Sequence, residues 1–313
     1  MVGMKRALSV LTTGAMLLLM LPQPVLAHNQ VGVLSHFVTA PVAGLSAEGV
    51  ANKGDSFYVS AIGFTATDGS IFVFDKKGTL TQTFTLPGLP VVGQAAIFKD
   101  SLFVVACSGI GSGGAVVKIG LKTGLVNPTF SLVPTGCPNG LTMDDHGNIF
   151  IANFAGSIDE VTQSGAMSQF ATGGLLTPGT IGGFTIGPND MTYNEEQNAL
   201  YTTNTGTGTV VKIQISDDGT AGAMTAYASL PTPDGLVFDS HGNLYVTSPF
   251  ADSIFLVTPE GSVSPVVLSG TETLDGPSSA IFHGNTMYIT NLNLASTYPS
   301  GYLSTVVLKS SGD

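Results

Sequence analysis

Four oxygen-bearing side chains recur at one position of a repeated segment. They are Glu48 in Ala47-Glu48-Gly49-Val50, Asn139 in Pro138-Asn139-Gly140-Leu141, Asn189 in Pro188-Asn189-Asp190-Met191 and Asp234 in Pro233-Asp234-Gly235-Leu236. Two carboxylates and two amide carbonyls are hard donors with a combined charge of about −2, which suits Ca²⁺ once waters complete its usual six to eight ligands. Histidine and cysteine are absent from these positions, which argues against zinc or copper. The four are therefore candidate metal ligands. Asp234 and Glu48 are also the candidate catalytic carboxylates, Asp234 as general base on water or as nucleophile. The plainer alternative is that Asn and Asp simply begin strands after turns.

The elements that must bring these residues together are themselves repeats. Pro138 to Asn153 returns in register as Pro233 to Thr247, with the same acidic turn, His-Gly-Asn and apolar strand. Weaker copies begin at Ala47, Gly93, Pro188 and Pro277. With the second residue of each copy as marker, the series is Glu48, Gln94, Asn139, Asn189, Asp234 and Ser278, a period of roughly 45 residues, as in a propeller array. The expected fold is all-β: a six-bladed β-propeller of four-stranded blades. Within a copy, Leu141 to Asp144 reads as the inner strand, Ile149 to Ala152 as the second and Ser157 to Val161 as the third. Antiparallel alternation puts the markers and the loops after the second strands on one face, and the His-Gly-Asn turns on the other. Gly301 to Leu308 looks like a third strand with no fourth after it. The segment Gln30 to Thr39 is therefore expected to supply the outer strand of the last blade and remove an open sheet edge.

Loops on the marker face contribute Ile62 and Phe64, Ser108, Asn153 and Phe154, Asn204, Pro249 and Phe250, and Asn291 and Asn293. This is an uncharged, partly aromatic mouth, and Asn153, Phe154, Asn204, Phe250 and Asn291 are the candidate substrate contacts. The aromatic residues could equally pack between blades. His146, His241 and His283 fall in far-face turns and read as turn residues; His28 and His36 lie before or within the closing strand, so no Ser-His-Asp arrangement emerges. Cys107 and Cys137 map to the marker face of adjacent blades. An even count in an exported chain favours a disulfide, with two separate buried thiols as the alternative.

Lys5 and Arg6, an apolar run from Ala7 to Met20 and Val25-Leu26-Ala27 form a signal-peptide pattern over residues 1–27, followed by one propeller domain over 28–313. The run is shorter than the roughly 20 residues of a spanning helix. The expected mature protein is secreted or periplasmic, a monomer, and free of the membrane after cleavage. The chain has 313 residues, 10% of them charged, and a formal charge of −11. Without Lys5 and Arg6 the charge is about −13, which repels phosphate backbones and excludes nucleic acid as a partner. Arg6 is the only arginine. The mature chain thus has no guanidinium for bidentate recognition of carboxylates or phosphates.

Glu48, Asn139, Asn189 and Asp234, with non-ligand residues in blades two and six, resemble the calcium-binding pattern of the senescence marker protein, gluconolactonase and luciferin-regenerating enzyme family. The pattern is similar to that of the paraoxonase and diisopropyl fluorophosphatase propellers. The resemblance covers essentially the whole mature chain and implies a Ca²⁺-dependent hydrolase of lactones or related esters acting on a small molecule. Sugar-lactone members look to an arginine near the third-blade marker, where this chain has Cys137. The expected substrate is therefore a neutral lactone or ester. The alternative reading is a non-catalytic secreted propeller that binds a ligand or protein, with calcium as a central staple.

Overall fold

Each repeat folds as an antiparallel sheet whose strands run in sequence order from the axis outward, in a computed structural model that describes residues 31–63, 66–109, 111–270 and 272–309. The expected signal segment and Phe64 lie outside the described residues. Blade 1 comprises Ser46–Lys53, Ser56–Ile62, Asp68–Asp75 and Leu80–Pro87; blade 2 comprises Val91–Phe98, Ser101–Cys107, Gly114–Gly120 and Val126–Val133. Blade 3 is Pro138–Met143, Ile149–Asn153, Ser157–Val161 and Met167–Thr172; blade 4 is Pro188–Asn194, Ala199–Asn204, Thr209–Ile215 and Ala221–Ser229. Blade 5 is Leu236–Phe238, Leu244–Ser248, Ser253–Val257 and Val263–Pro265. Pro277–His283, Thr286–Asn291 and Tyr302–Lys309 begin blade 6, and Val31–Thr39 completes it.

The middle strands are apolar on both faces because each is sandwiched between neighbouring blades. Separate clusters fill the interfaces: Ile71, Val73 and Phe84 meet Leu102, Val104 and Val117 between blades 1 and 2, and Phe150 and Ile158 meet Leu200 and Val211 between blades 3 and 4. Tyr201 and Val210 meet Leu244 and Val246 between blades 4 and 5.

The far-face turns explain the Asp-x-His-Gly-Asn signature without any chemistry from histidine. Asp144 accepts from the Asn148 backbone N–H at 2.7 Å and from its amide at 2.8 Å, and Asp239 repeats both bonds with Asn243 at 2.9 Å. Gly147 and Gly242 have φ of 85° and 80°, a left-handed conformation that glycine tolerates best. His146 and His241 are exposed bystanders. Asp144, Asp145 and His146 come close enough to suggest a metal cluster, but both Asp144 oxygens already accept hydrogen bonds within the turn.

Neighbouring blades are joined near the axis by a repeated hydroxyl clasp. Ser60, Thr203, Thr247 and Thr290, in the second strands opposite the start of the inner strand, accept a backbone N–H from their own blade. The donors are Gly49, Asp190, Gly235 and Ser279, at 2.8–3.0 Å. Each hydroxyl then donates to the marker carbonyl of the next blade: Gly93 at 2.6 Å, Asp234 at 2.6 Å, Ser278 at 2.8 Å and Glu48 at 2.7 Å. Blades 2 and 3 carry Val105 and Ala152 at this position and have no clasp of this kind. There a disulfide joins Cys107, at the end of blade 2's second strand, to Cys137, just before blade 3, with Cα atoms 5.6 Å apart.

Closure follows the expected route, with Gly32 opposite Leu308 and Leu34 opposite Val306 in antiparallel register. The edge is more protected than expected. Val267–Ser269 adds in parallel outside the closing strand, so the last blade has five strands rather than four. A second departure is the two-stranded hairpin Gly179–Ile181 and Phe184–Ile186 between blades 3 and 4. It accounts for Asn139 to Asn189 being the longest marker interval.

Deleting residues 28–39 from the signal-free chain should lower the melting temperature by more than ~5 °C, since burying Leu34 alone is of order 2 kcal/mol and each 1 kcal/mol moves Tm by roughly 2–4 °C. Removing residues 1–27 alone should leave it unchanged, and scanning calorimetry of both truncations compares them. Replacing Cys107 and Cys137 together by serine should cost roughly 3.6 kcal/mol of stability, the loop-closure entropy expected for their separation of 30 residues. Denaturant titration of that double variant checks the figure.

Candidate metal centre

Two successive residues at the start of each inner strand lie towards the axis instead of one. A register shift falls just after the start of the inner strand in blades 1, 2, 3, 4 and 6, for example between Ala47 and Val50 and between Pro188 and Met191. Such bulges re-aim side chains that strict alternation would send to opposite faces. The outer ring of axial residues is Glu48, Gly93, Asn139, Asn189, Asp234 and Ser278. The inner ring is Gly49, Gln94, Gly140, Asp190, Gly235 and Ser279. The register places Gly93, not Gln94, opposite the other markers, because Val92 pairs with Ala106 as Ala47 pairs with Ala61.

Glycine alternates with larger residues in the inner ring for a steric reason. A Cβ on Gly49, Gly140 or Gly235 would overlap the Cα of Gln94, Asp190 or Ser279, respectively, in the next blade. The glycine in Pro-Asn-Gly and Pro-Asp-Gly is thus required by close backbone approach and not by a turn.

The outer ring brings Glu48, Asn139 and Asp234 to one recess, with Asn189 at the equivalent position of blade 4. Asn139 Nδ2 donates to Glu48 Oε1 at 3.1 Å. Asn189 Nδ2 donates to Thr205 Oγ1 at 2.8 Å, which aims its Oδ1 elsewhere; that oxygen is buried and has no hydrogen-bond partner among the described residues. The Asp234 carboxylate accepts no hydrogen bond from them either, although the residue is only 5% exposed. A small recess is lined by Glu48, Asn139 and Asp234 together with Gln94, Asp190, Ser278 and Ser279. Ser278 is engaged with blade 1, donating towards the Ala47 and Glu48 carbonyls at 2.9 and 3.0 Å.

Asp190 is a recess-lining acid that the marker series did not include. Strict alternation from Asn189 would turn it away from the axis, and the bulge returns it. Its signal was visible: it is the only acid at a position where three other copies have glycine.

Burial without a basic partner dominates the electrostatics. Desolvation pushes the Glu48 carboxyl up to about 7, against the lowering effect of the Asn139 amide. Desolvation likewise raises Asp190 to about 8. Asp234 is raised well above the usual carboxylate range by burial, then by the charges of Glu48 and Asp190. Three buried acids without a basic partner, an unpaired amide oxygen on the neighbouring Asn189 and no lysine in the recess fit a hard multivalent cation.

The expected substrate contacts divide. Asn153 donates to the Thr135 carbonyl at 3.0 Å and accepts from Ala155 N–H, so it holds the loop entering its own blade. Asn291 donates to Ser304 Oγ at 3.1 Å and accepts from Asp275 N–H. Asn204 donates to the Leu175 and Thr177 carbonyls at 2.9 Å and keeps a buried, unpaired Oδ1. Phe154 packs with Ile62, Val91, the Cys107–Cys137 disulfide and Ile186 in an apolar cluster at the marker-face end of blades 1 to 3. Phe250, in the turn Pro249–Ala251, is 64% exposed and belongs to none of the apolar clusters among the described residues. A surface cleft of about 440 Å³ between the rims of blades 1 and 2 is lined by Leu89, Leu132 and Pro134 and by no charged group; the carboxylates lie elsewhere.

A family model described as the SMP-30/Gluconolactonase/LRE-like region matches residues 60–293. The chain belongs to this family. No curated protein sequence matches it. Among solved structures, a gluconolactonase from Xanthomonas campestris is similar over 89% of this chain and 90% of that one, with a TM-score of 0.65 at 15% identity. A luciferin-regenerating enzyme is similar over 90% and 96%, with a TM-score of 0.62 at 14% identity. A virginiamycin B lyase from Staphylococcus aureus is similar over 89% and 100%, with a TM-score of 0.61 at 14% identity. At these identities the structural likeness shows the fold alone, and one fold carries different chemistries.

The raised carboxyls of this family member dictate how its metal-free stability depends on pH. Their folded-state pKa values lie above the unfolded ones, so the folded protein binds more protons between about pH 4 and 8 and loses stability as pH rises through that window. In chelator, the melting temperature should therefore fall from pH 5 to pH 8. Added Ca²⁺ should restore it most at pH 8. A flat or rising profile in chelator would show that the three acids are not buried together.

Proposed function

We propose that this protein is an exported, Ca²⁺-dependent hydrolase of neutral lactones or related esters. The observation that carries the reading is the recess lined by Glu48, Asn139 and Asp234, beside an Asn189 Oδ1 that is buried and unpaired at the equivalent position of blade 4. Membership of a gluconolactonase-like family supports hydrolase-type chemistry on a small molecule. A bound divalent cation would polarise the substrate carbonyl and stabilise the charge that develops on its oxygen.

The chain's own residues divide the remaining work. Glu48, held by the Asn139 amide, and the two asparagine carbonyls hold the cation. Asp234 is the base that takes a proton from the attacking water, or the nucleophile. Its carboxylate has no hydrogen-bond donor to weaken it, and burial raises its basicity while a neighbouring cation lowers it. Ile186, packed on the buried cluster of Phe154, Ile62 and the disulfide, offers an apolar contact for the acyl or ring portion of the substrate. Phe250 is an exposed second aromatic for a larger leaving group. With no arginine after Arg6 and no lysine lining the recess, nothing here would hold a sugar-acid carboxylate. Export rests on the signal-peptide pattern of residues 1–27.

A panel of lactones and aryl esters tests the proposal with native protein, chelated protein and Asp234→Asn. Hydrolysis of neutral substrates should fall at least a hundredfold in both altered samples, and Ca²⁺ should restore only the chelated one. Rates equal to buffer across the panel, from folded protein that binds Ca²⁺, would favour the non-catalytic binder instead.

A further inference from the structure

The inner ring carries chemistry of its own. Gln94 Oε1 accepts two backbone N–H groups, from Val50 at 3.1 Å and Ala95 at 2.9 Å. That fixes the orientation of its amide, because reversing it would point two donors at two donors. Gln94 Nε2 must then face the channel, where it donates to Ser279 Oγ at 2.6 Å and Asp190 Oδ2 at 3.2 Å. The other Asp190 oxygen accepts from Met191 N–H at 2.7 Å. Three blades thus contribute one side chain each, and the glycines of the other three make room for them.

Both Asp190 carboxylate oxygens accept from fixed donors, which stabilises the ionised form that a bound cation would also favour. Neither donor carries a full charge, so the negative charge is oriented but not neutralised. It lies one residue along the strand from the ligand Asn189 and lines the same recess as Glu48 and Asp234.

We infer that Asp190 is a positioning residue for the bound cation: a third carboxylate, held by Gln94, that sets the affinity of the site and its preference for cations of higher charge. This rests on the cation site proposed above. The interaction is electrostatic, so removing one unit of negative charge should weaken an ion in proportion to the ion's own charge. A purely structural Asp190 would weaken all ions equally or not at all.

Calorimetric titration of wild-type and Asp190→Asn protein with Ca²⁺ and with Tb³⁺ makes the distinction. The substitution should weaken Ca²⁺ at least tenfold and Tb³⁺ by a larger factor, and should raise the melting temperature of the metal-free protein at pH 8 by relieving repulsion with Glu48. Equal losses for the two ions, or wild-type affinity for both, would overturn the inference while leaving the cation site in place. If wild-type protein binds neither ion, the site itself fails and the inference with it. Gln94→Met, which removes the donor to Asp190 without changing charge, is the second variant if Asp190→Asn does not fold; it should weaken Tb³⁺ more than Ca²⁺, at least threefold for Ca²⁺. Unchanged affinities in Gln94→Met would overturn the positioning role.

Discussion

Six inner strands must meet around one axis, closely enough for each to touch the next. Bulges near the starts of five of these strands, glycine in alternate blades and the hydroxyl clasp are consequences of that requirement. The clasp is economical in atoms. One hydroxyl accepts from its own blade and donates to the next, satisfying two backbone groups that close approach would otherwise strand without water. It also fixes the marker carbonyls, and therefore the direction of the marker side chains. The geometry of the candidate metal centre is thus set by the contacts that hold the ring together.

Close approach also determines the electrostatics. A wide channel would let water solvate Glu48, Asp190 and Asp234; this one leaves them between 4% and 6% exposed. Burying carboxylates without a basic partner is costly, and a protein can answer it by protonation or by a cation. Protonation would suit Glu48, whose Oε1 already accepts from Asn139 and which has a second oxygen free of that bond. It does not suit Asn189, whose unpaired Oδ1 is an amide oxygen and cannot acquire a donor by titration. The orphan amide therefore discriminates between the two answers more sharply than the acids do.

Much of this was legible in the chain because repetition amplifies weak signals. Pro-Asn-Gly alone is an ordinary tripeptide, but the spacing of Asn139, Asp234 and their counterparts gave the blade count and the marker face. The strand Ser157–Val161 matched the expected one. The closing strand was readable because Gly301 to Leu308 had no sequential partner. Asp190 was missed because a bulge is a backbone event that side-chain periodicity does not record. Gln94 was placed one residue out for the same reason. Asn153, Asn204 and Asn291 had the right location, but sequence could not reveal that their amides already hold the loops beside them.

Two departures from six-fold regularity, the missing clasp hydroxyls and the added hairpin, fall within blades 2 to 4. Blades 2 and 3 lack the hydroxyl of the clasp and carry Val105 and Ala152, which cannot bridge to a neighbouring carbonyl. Their junction is instead joined covalently through Cys107 and Cys137, and the disulfide packs under Phe154 and beside Ile62, Val91 and Ile186. The hairpin between blades 3 and 4 supplies Ile186 to the same cluster. Blades 4 to 6 keep the polar clasp and present Asn204, Ser248 and Asn291 at equivalent strand ends, with their polar groups turned to the loops. Hydroxyl clasps thus join blade 1 to 2, 4 to 5, 5 to 6 and 6 to 1, while the junction of blades 2 and 3 is covalent and packed with apolar side chains.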